Sequence, residues 1–305
     1  MIKLYSSIFI DEEYHMITSI PKLKPESNTI ISGRSFPSNV FSFVEADGFQ
    51  FDLLNDVLEG RLAGAIFRSA LPTECCAQIS QNFYSHPNRY NRGRVVPAQY
   101  VGAFHYRKSL GEYFDEVSET DPVLDTLFSG TCNVWQDFCQ WLEPELGSHQ
   151  MNFRAAEYND EKAGRYVMRS WMANNEYSLL PHEDEAQCKV PEQNGFEIQE
   201  AANNAVVAAN FCIENGTGGS LHYWNIIPDD DCRRRLGLMG TGHPYPTELL
   251  NDFEKQVINI EPGDLYCFNG KAIHAVGTLQ NQNDTRSTVS FLMAKLDDET
   301  IIHWT

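Results

Sequence analysis

The sequence predicts a mainly β protein, a jelly roll preceded and supported by helices. Three observations predict it. Up to about Glu145 the apolar residues recur at helical spacing; after Gly147 they fall into short β-like runs bounded by turn clusters; and no long helical pattern separates those runs. Many short strands without intervening long helices favour a barrel or a jelly roll, whose antiparallel sheets can enclose a ligand cavity.

The elements follow in order. A length of 305 residues is generous for one domain and tight for two. A single catalytic domain over 1–305 is therefore expected, mostly helical over 1–147 and jelly roll over 148–305. Residues 24–48, rich in Ser, Pro, Asn and Gly, read as a surface excursion, and Leu62 to Phe67 as an initial strand. Leu110, Tyr113, Phe114 and Val117 recur at i, i+3, i+4 and i+7, as do Trp135, Phe138, Cys139 and Leu142. These are core-facing stripes of separate helices, punctuated by Pro122 and Gly130. The β-like runs span 164–172, 205–213, 219–227, 257–260, 264–268 and 286–296.

Composition narrows the function. The net charge of −19 argues against a nucleic-acid partner, since such binding neutralises phosphates with clustered Lys and Arg. The one basic cluster, Arg233-Arg234-Arg235, follows Asp229-Asp230-Asp231 with only Cys232 between and reads as solvated surface. No stretch approaches the roughly 20 apolar residues of a membrane span. The first residues have too short an apolar run for a secretory signal, so a soluble, cytoplasmic enzyme is expected. The eight cysteines show no Cys-x-x-Cys pair and read as reduced thiols.

The chemistry lies in the β-rich half. In YSLLPHEDE, residues 177–185, His182 and Asp184 stand two apart at the end of an extended run, where i and i+2 share a face and Glu183 points away. Taken alone this is weak: with nine histidines and 42 acidic residues a His-x-acid triplet arises by chance. The second half is EPGDLYCFNGKAIHAV, residues 261–276, in which a Pro-Gly-Asp turn launches one strand and a turn at Asn269-Gly270 returns another carrying His274. Two histidines and one carboxylate make the facial set that leaves open positions on ferrous iron.

Beyond His274 comes RSTVSFLMA, residues 286–294, where alternation puts Arg286, Thr288 and Ser290 on one side. If that side faces the cavity, the planar Arg286 fork with the Thr288 hydroxyl suits a carboxylate; otherwise Arg286 would pair with Asp284 at the surface. Substrate residues are sought on the run before His182. Arg169 and Trp171 line the pocket if one face turns inward, and Tyr166, Met168 and Met172 do if the other does. Asn210 is a further candidate. His105, His222 and His243 lack a carboxylate partner at metal spacing and are read as non-ligands.

The order His182-x-Asp184, His274, Arg286-x-Thr288 resembles the iron(II)- and 2-oxoglutarate-dependent oxygenase superfamily over about residues 165–296. NFCIENGTGGSL, residues 210–221, looks like that family's strand and Gly-Gly-x-Leu turn between the metal-binding segments. The resemblance implies a double-stranded β-helix (jelly-roll) core. It implies iron(II) held by His182, Asp184 and His274, 2-oxoglutarate with its distal carboxylate on Arg286, and dioxygen as oxidant.

More narrowly, LGEYF at 110–114 and the stretch to Gly130 are similar to bacterial small-molecule hydroxylases and halogenases that act on amino-acid derivatives or alkaloid-like metabolites. Halogenases of that group carry Gly or Ala where this chain has Asp184, so the aspartate implies hydroxylation. The alternatives are a halogenase or desaturase of the same kind, a cupin-like metalloenzyme without 2-oxoglutarate, and a non-catalytic jelly-roll binding module.

Overall fold

Two facing sheets create the site, and sequence alternation decides which side chains enter it. A computed structural model of the chain describes residues 30–91, 98–172 and 177–305. The larger sheet has ten strands. Its main path runs Phe43–Asp47, Gly64–Arg68, Leu265–Asn269, Val207–Asn215, Thr285–Lys295, Val167–Met172, Ala98–Val101 and Tyr90–Asn91. Thr300–Trp304 also pairs with Thr285–Lys295, and Asn152–Ala155 joins it in parallel. The smaller sheet has four antiparallel strands in the order Tyr177–His182, His274–Gly277, Leu221–Trp224 and Lys255–Ile258.

The larger sheet is buried on both faces, so its central strands read as nearly continuous apolar runs. Val207, Ala209, Phe211 and Ile213 point into a core shared with Leu265, Cys267, Val289, Met293 and Met168. The helices Phe51–Leu58, Thr73–Ser85 and Val134–His149 fill that core from outside with Leu54, Ile79, Phe83, Phe138 and Leu142. The alternate residues of the same strands, Ala208, Asn210, Tyr266, Phe268 and Ser290, face the smaller sheet across a cavity. Truncating a fully buried ring such as Phe211 to Ala costs about 3–5 kcal/mol.

The expected helices form for identifiable reasons. In Leu110–Leu124 the stripe Leu110, Tyr113, Phe114 and Val117 is buried, and Ser109 with Glu112 makes a reciprocal capping box. In Val134–His149, Asn133 caps the first turn by accepting from the Trp135 and Gln136 amides.

Several expectations are corrected. The N-terminal part holds more strand than expected: Gly64–Arg68 falls on the expected initial strand, and three further segments of two to five residues, too short to show a period of two, also join the larger sheet. Pro122 lies inside the helix Leu110–Leu124 instead of ending it; without an N–H it forfeits the one bond to the Ser118 carbonyl, and the helix ends two residues later. Within the supposed surface excursion, Ile31 and Phe41 are buried and Phe43–Asp47 is a sheet strand; its residues 24–29, like the N-terminal segment read for a signal, lie outside the described residues. Leu265–Asn269 and His274–Gly277 are not a hairpin, because the chain steps at Gly270 from one sheet to the other.

Candidate active site

His182 is the last residue of its strand and sits in register with His274 of the neighbouring strand, their ring centroids 4.3 Å apart. Their Nδ1 atoms lie 2.8 Å from the Leu180 carbonyl and 2.9 Å from the Ala272 carbonyl. A carbonyl can only accept, so each Nδ1 carries the proton and each Nε2 keeps its lone pair for a metal. Burial holds both rings neutral, His182 down to about 3 and His274 to about 4.

Asp184 arrives by a different route from the one alternation suggests. The strand ends at His182, and Asp184 lies in the turn that follows, its amide donating to the Gly270 carbonyl at 2.8 Å. Gln187 donates to Asp184 Oδ1 at 2.9 Å, leaving Oδ2 turned towards His274. Glu183 does point away, into a buried ion pair with Arg233. One ligand atom from each of His182, Asp184 and His274 lies within 4.8 Å of the others, and no other such cluster occurs among the described residues.

Arg286, Thr288 and Ser290 share one side of Thr285–Lys295, in register with Trp171, Arg169 and Val167. Arg286 is fully buried and does not pair with Asp284; its Nη2 donates to the Tyr266 hydroxyl at 2.7 Å. Its Nε and Nη1, and the Thr288 hydroxyl, have no hydrogen-bond partner among the described residues. An arginine buried without a carboxylate is costly unless a ligand supplies one. The cavity beside it is lined by Tyr266, Asn210, Ser290, Arg169 and Trp171 from one sheet and by the triad from the other. Of the two assignments open for the 164–172 run, Val167, Arg169 and Trp171 face the cavity, while Tyr166 and Met168 enter the helix-side core.

This donor set fits a divalent metal of the first transition row: two neutral imidazoles with fixed tautomers and one carboxylate, on one side of a cavity. The orphaned polar atoms of Arg286 and Thr288 fit the far carboxylate of a short dicarboxylate.

A family model described as "Carrier-protein-independent halogenase WelO5" matches residues 43–305. The chain belongs to this family. It is thereby an iron(II)- and 2-oxoglutarate-dependent oxygenase that uses dioxygen on a small molecule. The oxygenase is 32% identical over 304 residues to the L-isoleucine 3(1)-dioxygenase of Pantoea ananatis (strain AJ13355), a match spanning 95% of this chain and 100% of that protein. Among solved structures it is similar to an N-substituted L-amino acid dioxygenase from Burkholderia ambifaria AMMD, at 13% identity and a TM-score of 0.49, covering 83% of this chain and 90% of that one. It is also similar to HygX from Streptomyces hygroscopicus, at 10% identity and a TM-score of 0.41, covering 79% and 86%. No helix among the described residues is long and apolar enough to cross a membrane.

In this oxygenase three features escaped sequence reading. Tyr266 orients Arg286, and only its alternation with Cys267 places it on the cavity side. Gly270 must be glycine because a Cβ there would overlap the Asp184 carboxylate. Arg233, expected at the surface, is 1% exposed and ion-paired to Glu183 and Glu185. The helix Asp230–Leu236 buries Cys232, Arg233 and Leu236 on one side, leaving Arg234 outward with Asp231. Of the remaining histidines, His105 lines the cavity but bonds Gln193, and neither His222 nor His243 joins the metal cluster.

Proposed function

We propose that this oxygenase is a hydroxylase that inserts one oxygen atom into an unactivated C–H bond of an amino acid or an amino-acid-derived metabolite. The observation that carries the reading is Asp184 itself. Its carboxylate stands beside two neutral imidazoles and completes the ligand set, at the position where the halogenases that the sequence resembles carry Gly or Ala. The name of the Pantoea ananatis relative, a dioxygenase of L-isoleucine, supports both the reaction and the substrate class.

Iron(II) with 2-oxoglutarate and dioxygen supplies an oxidising power that no side chain has, and the protein supplies position. His182, Asp184 and His274 would hold the metal. Arg286, with Thr288 and Tyr266, would take the distal carboxylate of 2-oxoglutarate. Among described residues Arg169 is the other cation at the cavity, stacked 5.0 Å from the Trp171 ring, with its Nε unpartnered. It would take a substrate carboxylate, with Asn210 bracing it through a 3.4 Å contact to Nη2. Tyr100, Phe104, Trp171 and Leu179 form an apolar wall beside it, suited to an aliphatic side chain. Residues 31–305 would act as one catalytic unit in the cytoplasm, and the net charge of −19 argues against nucleic acid as substrate.

The test is succinate release from 2-oxoglutarate by the iron-loaded enzyme across free amino acids, their N-substituted derivatives and alkaloid-like metabolites. An aliphatic amino acid should stimulate turnover, and Arg286→Ala should abolish it. Turnover of a substrate that persists without 2-oxoglutarate, or in Arg286→Ala, would favour a metalloenzyme that does not use this cosubstrate.

A further inference from the structure

Behind the Asp184 turn, on the side away from the cavity, lies a buried ionic cluster that the oxidation itself does not use. Arg233 is its centre. All three guanidinium nitrogens are engaged: Nε with Glu183 Oε1 at 3.0 Å, Nη2 with Glu185 Oε2 at 2.8 Å, and Nη1 with Asp230 Oδ1 at 2.7 Å. Glu183 and Glu185 are the two immediate neighbours of Asp184 in the chain. A single planar fork therefore grips the residue on each side of the carboxylate offered to the metal.

The grip extends to the backbone. Glu183 Oε2 accepts from the amides of Glu185 at 2.6 Å and Ala186 at 3.0 Å, which closes the turn, and the Tyr245 hydroxyl donates to Glu183 Oε1 at 3.3 Å. Glu185 Oε1 lies 2.8 Å from Lys189 and 3.4 Å from Lys271, whose own ammonium donates to the Ala202 and Asn204 carbonyls. Lys271 follows Gly270, the residue whose carbonyl holds the Asp184 amide. The turn is thus clamped from the helix Asp230–Leu236 on one side and from the crossover between the sheets on the other.

Glu183, Glu185 and Asp230 balance Arg233, Lys189 and Lys271, so the cluster carries no excess charge. Buried ion pairs are seldom worth more than apolar packing in stability. What such a fork does supply is direction, and here it directs the one metal-ligand segment that is neither strand nor helix.

We propose that Arg233 is a positioning residue for the metal centre, presetting the Asp184 carboxylate through Glu183 and Glu185 before any metal arrives. The proposal rests on His182, Asp184 and His274 being the ligands. Outer groups that orient ligands typically change metal affinity by about 10- to 100-fold when removed. A lysine at 233 keeps the charge but cannot serve the three carboxylates in one plane.

The test is titration of the metal-free full-length enzyme with cobalt(II), followed by its visible ligand-field absorption, alongside thermal unfolding without metal. Arg233→Met should weaken cobalt binding by about tenfold or more. Arg165→Met is the control, since Arg165 is ion-paired to Asp121 and Asp125 on the helix Leu110–Leu124 and its neighbour, away from the cavity. It should bind cobalt like the wild type at any comparable loss of Tm. If Arg233→Met does not fold, Arg233→Lys decides, with an altered cobalt spectrum and affinity weakened roughly threefold or more expected. Wild-type affinity and spectrum in whichever variant folds, or affinity lost in Arg165→Met in proportion to stability, overturn the proposal. Full cobalt binding by His182→Ala would instead overturn the ligand assignment beneath it.

Discussion

His274 Nε2 lies 3.6 Å from Asp184 Oδ2, too far for a hydrogen bond and close enough for both atoms to face one ion. The separation is maintained from outside the pair, by the Ala272 carbonyl on the ring and by Gln187 and Gly270 on the aspartate.

Gly270→Ala tests that arrangement without touching a ligand. The added methyl overlaps the Asp184 carboxylate, which must leave its present position. Metal affinity, measured by cobalt(II) titration, should fall about tenfold or more while the far-ultraviolet circular dichroism is kept. Unchanged affinity would mean that the carboxylate has another position from which to bind.

Arg286→Met should separate stability from function. It replaces a fully buried guanidinium, lacking a carboxylate partner among the described residues, with an apolar chain of similar length. The ligand-free protein should gain on the order of 1 kcal/mol, seen as a Tm a few degrees higher, and lose 2-oxoglutarate binding roughly 100-fold or more. A lower Tm with cosubstrate binding intact would show that Arg286 is structural.

Arg169→Met distinguishes the two cations. For a carboxylate-bearing substrate KM should rise by roughly 10- to 100-fold, the loss of a charge-assisted hydrogen bond, while the cosubstrate's KM stays within about twofold. The opposite pattern would assign Arg169 to the cosubstrate.

The metal-free protein should lose stability in acid through its buried histidines. Burial lowers His105 and His274 to about 4 and His182 and His303 to about 3, from an ordinary value of 6.5. As pH falls below 6.5 the unfolded chain takes protons that the folded chain refuses until about 4, so the contribution is full above 6.5 and lost below it. Asp184 and Glu183, raised by burial, act in the opposite sense, from the ordinary carboxylate value upward. The Tm should therefore be lower at about pH 5 than at about pH 7.5, and an unchanged Tm would contradict the burial of these rings.

On the long strands alternation sorts the residues into two faces and leaves open which face is inward. In Thr285–Lys295 and Val207–Asn215 alternation sorts Arg286, Thr288 and Asn210 from Val289 and Phe211, because each face meets a different layer. The same rule chose Asp184 over Glu183 although Asp184 is not in a strand, since the turn also sends neighbouring side chains in opposite directions. Short strands such as Ala98–Val101 were not legible, being shorter than the pattern that would reveal them. Nor was Arg233, because DDDCRRR at 229–235 reads the same whether its arginines are solvated or, as for this one, matched by glutamates distant in sequence.

The fate of dioxygen tests hydroxylation at this centre most directly. The iron-loaded enzyme would be run with 2-oxoglutarate and a stimulating amino acid, under isotopically labelled dioxygen and with chloride present, and both products weighed by mass spectrometry. A hydroxylase whose iron is held by His182, Asp184 and His274 should place one labelled oxygen in succinate and one in the amino-acid product. Chlorine in the product, or oxidation without consumption of 2-oxoglutarate, would contradict it.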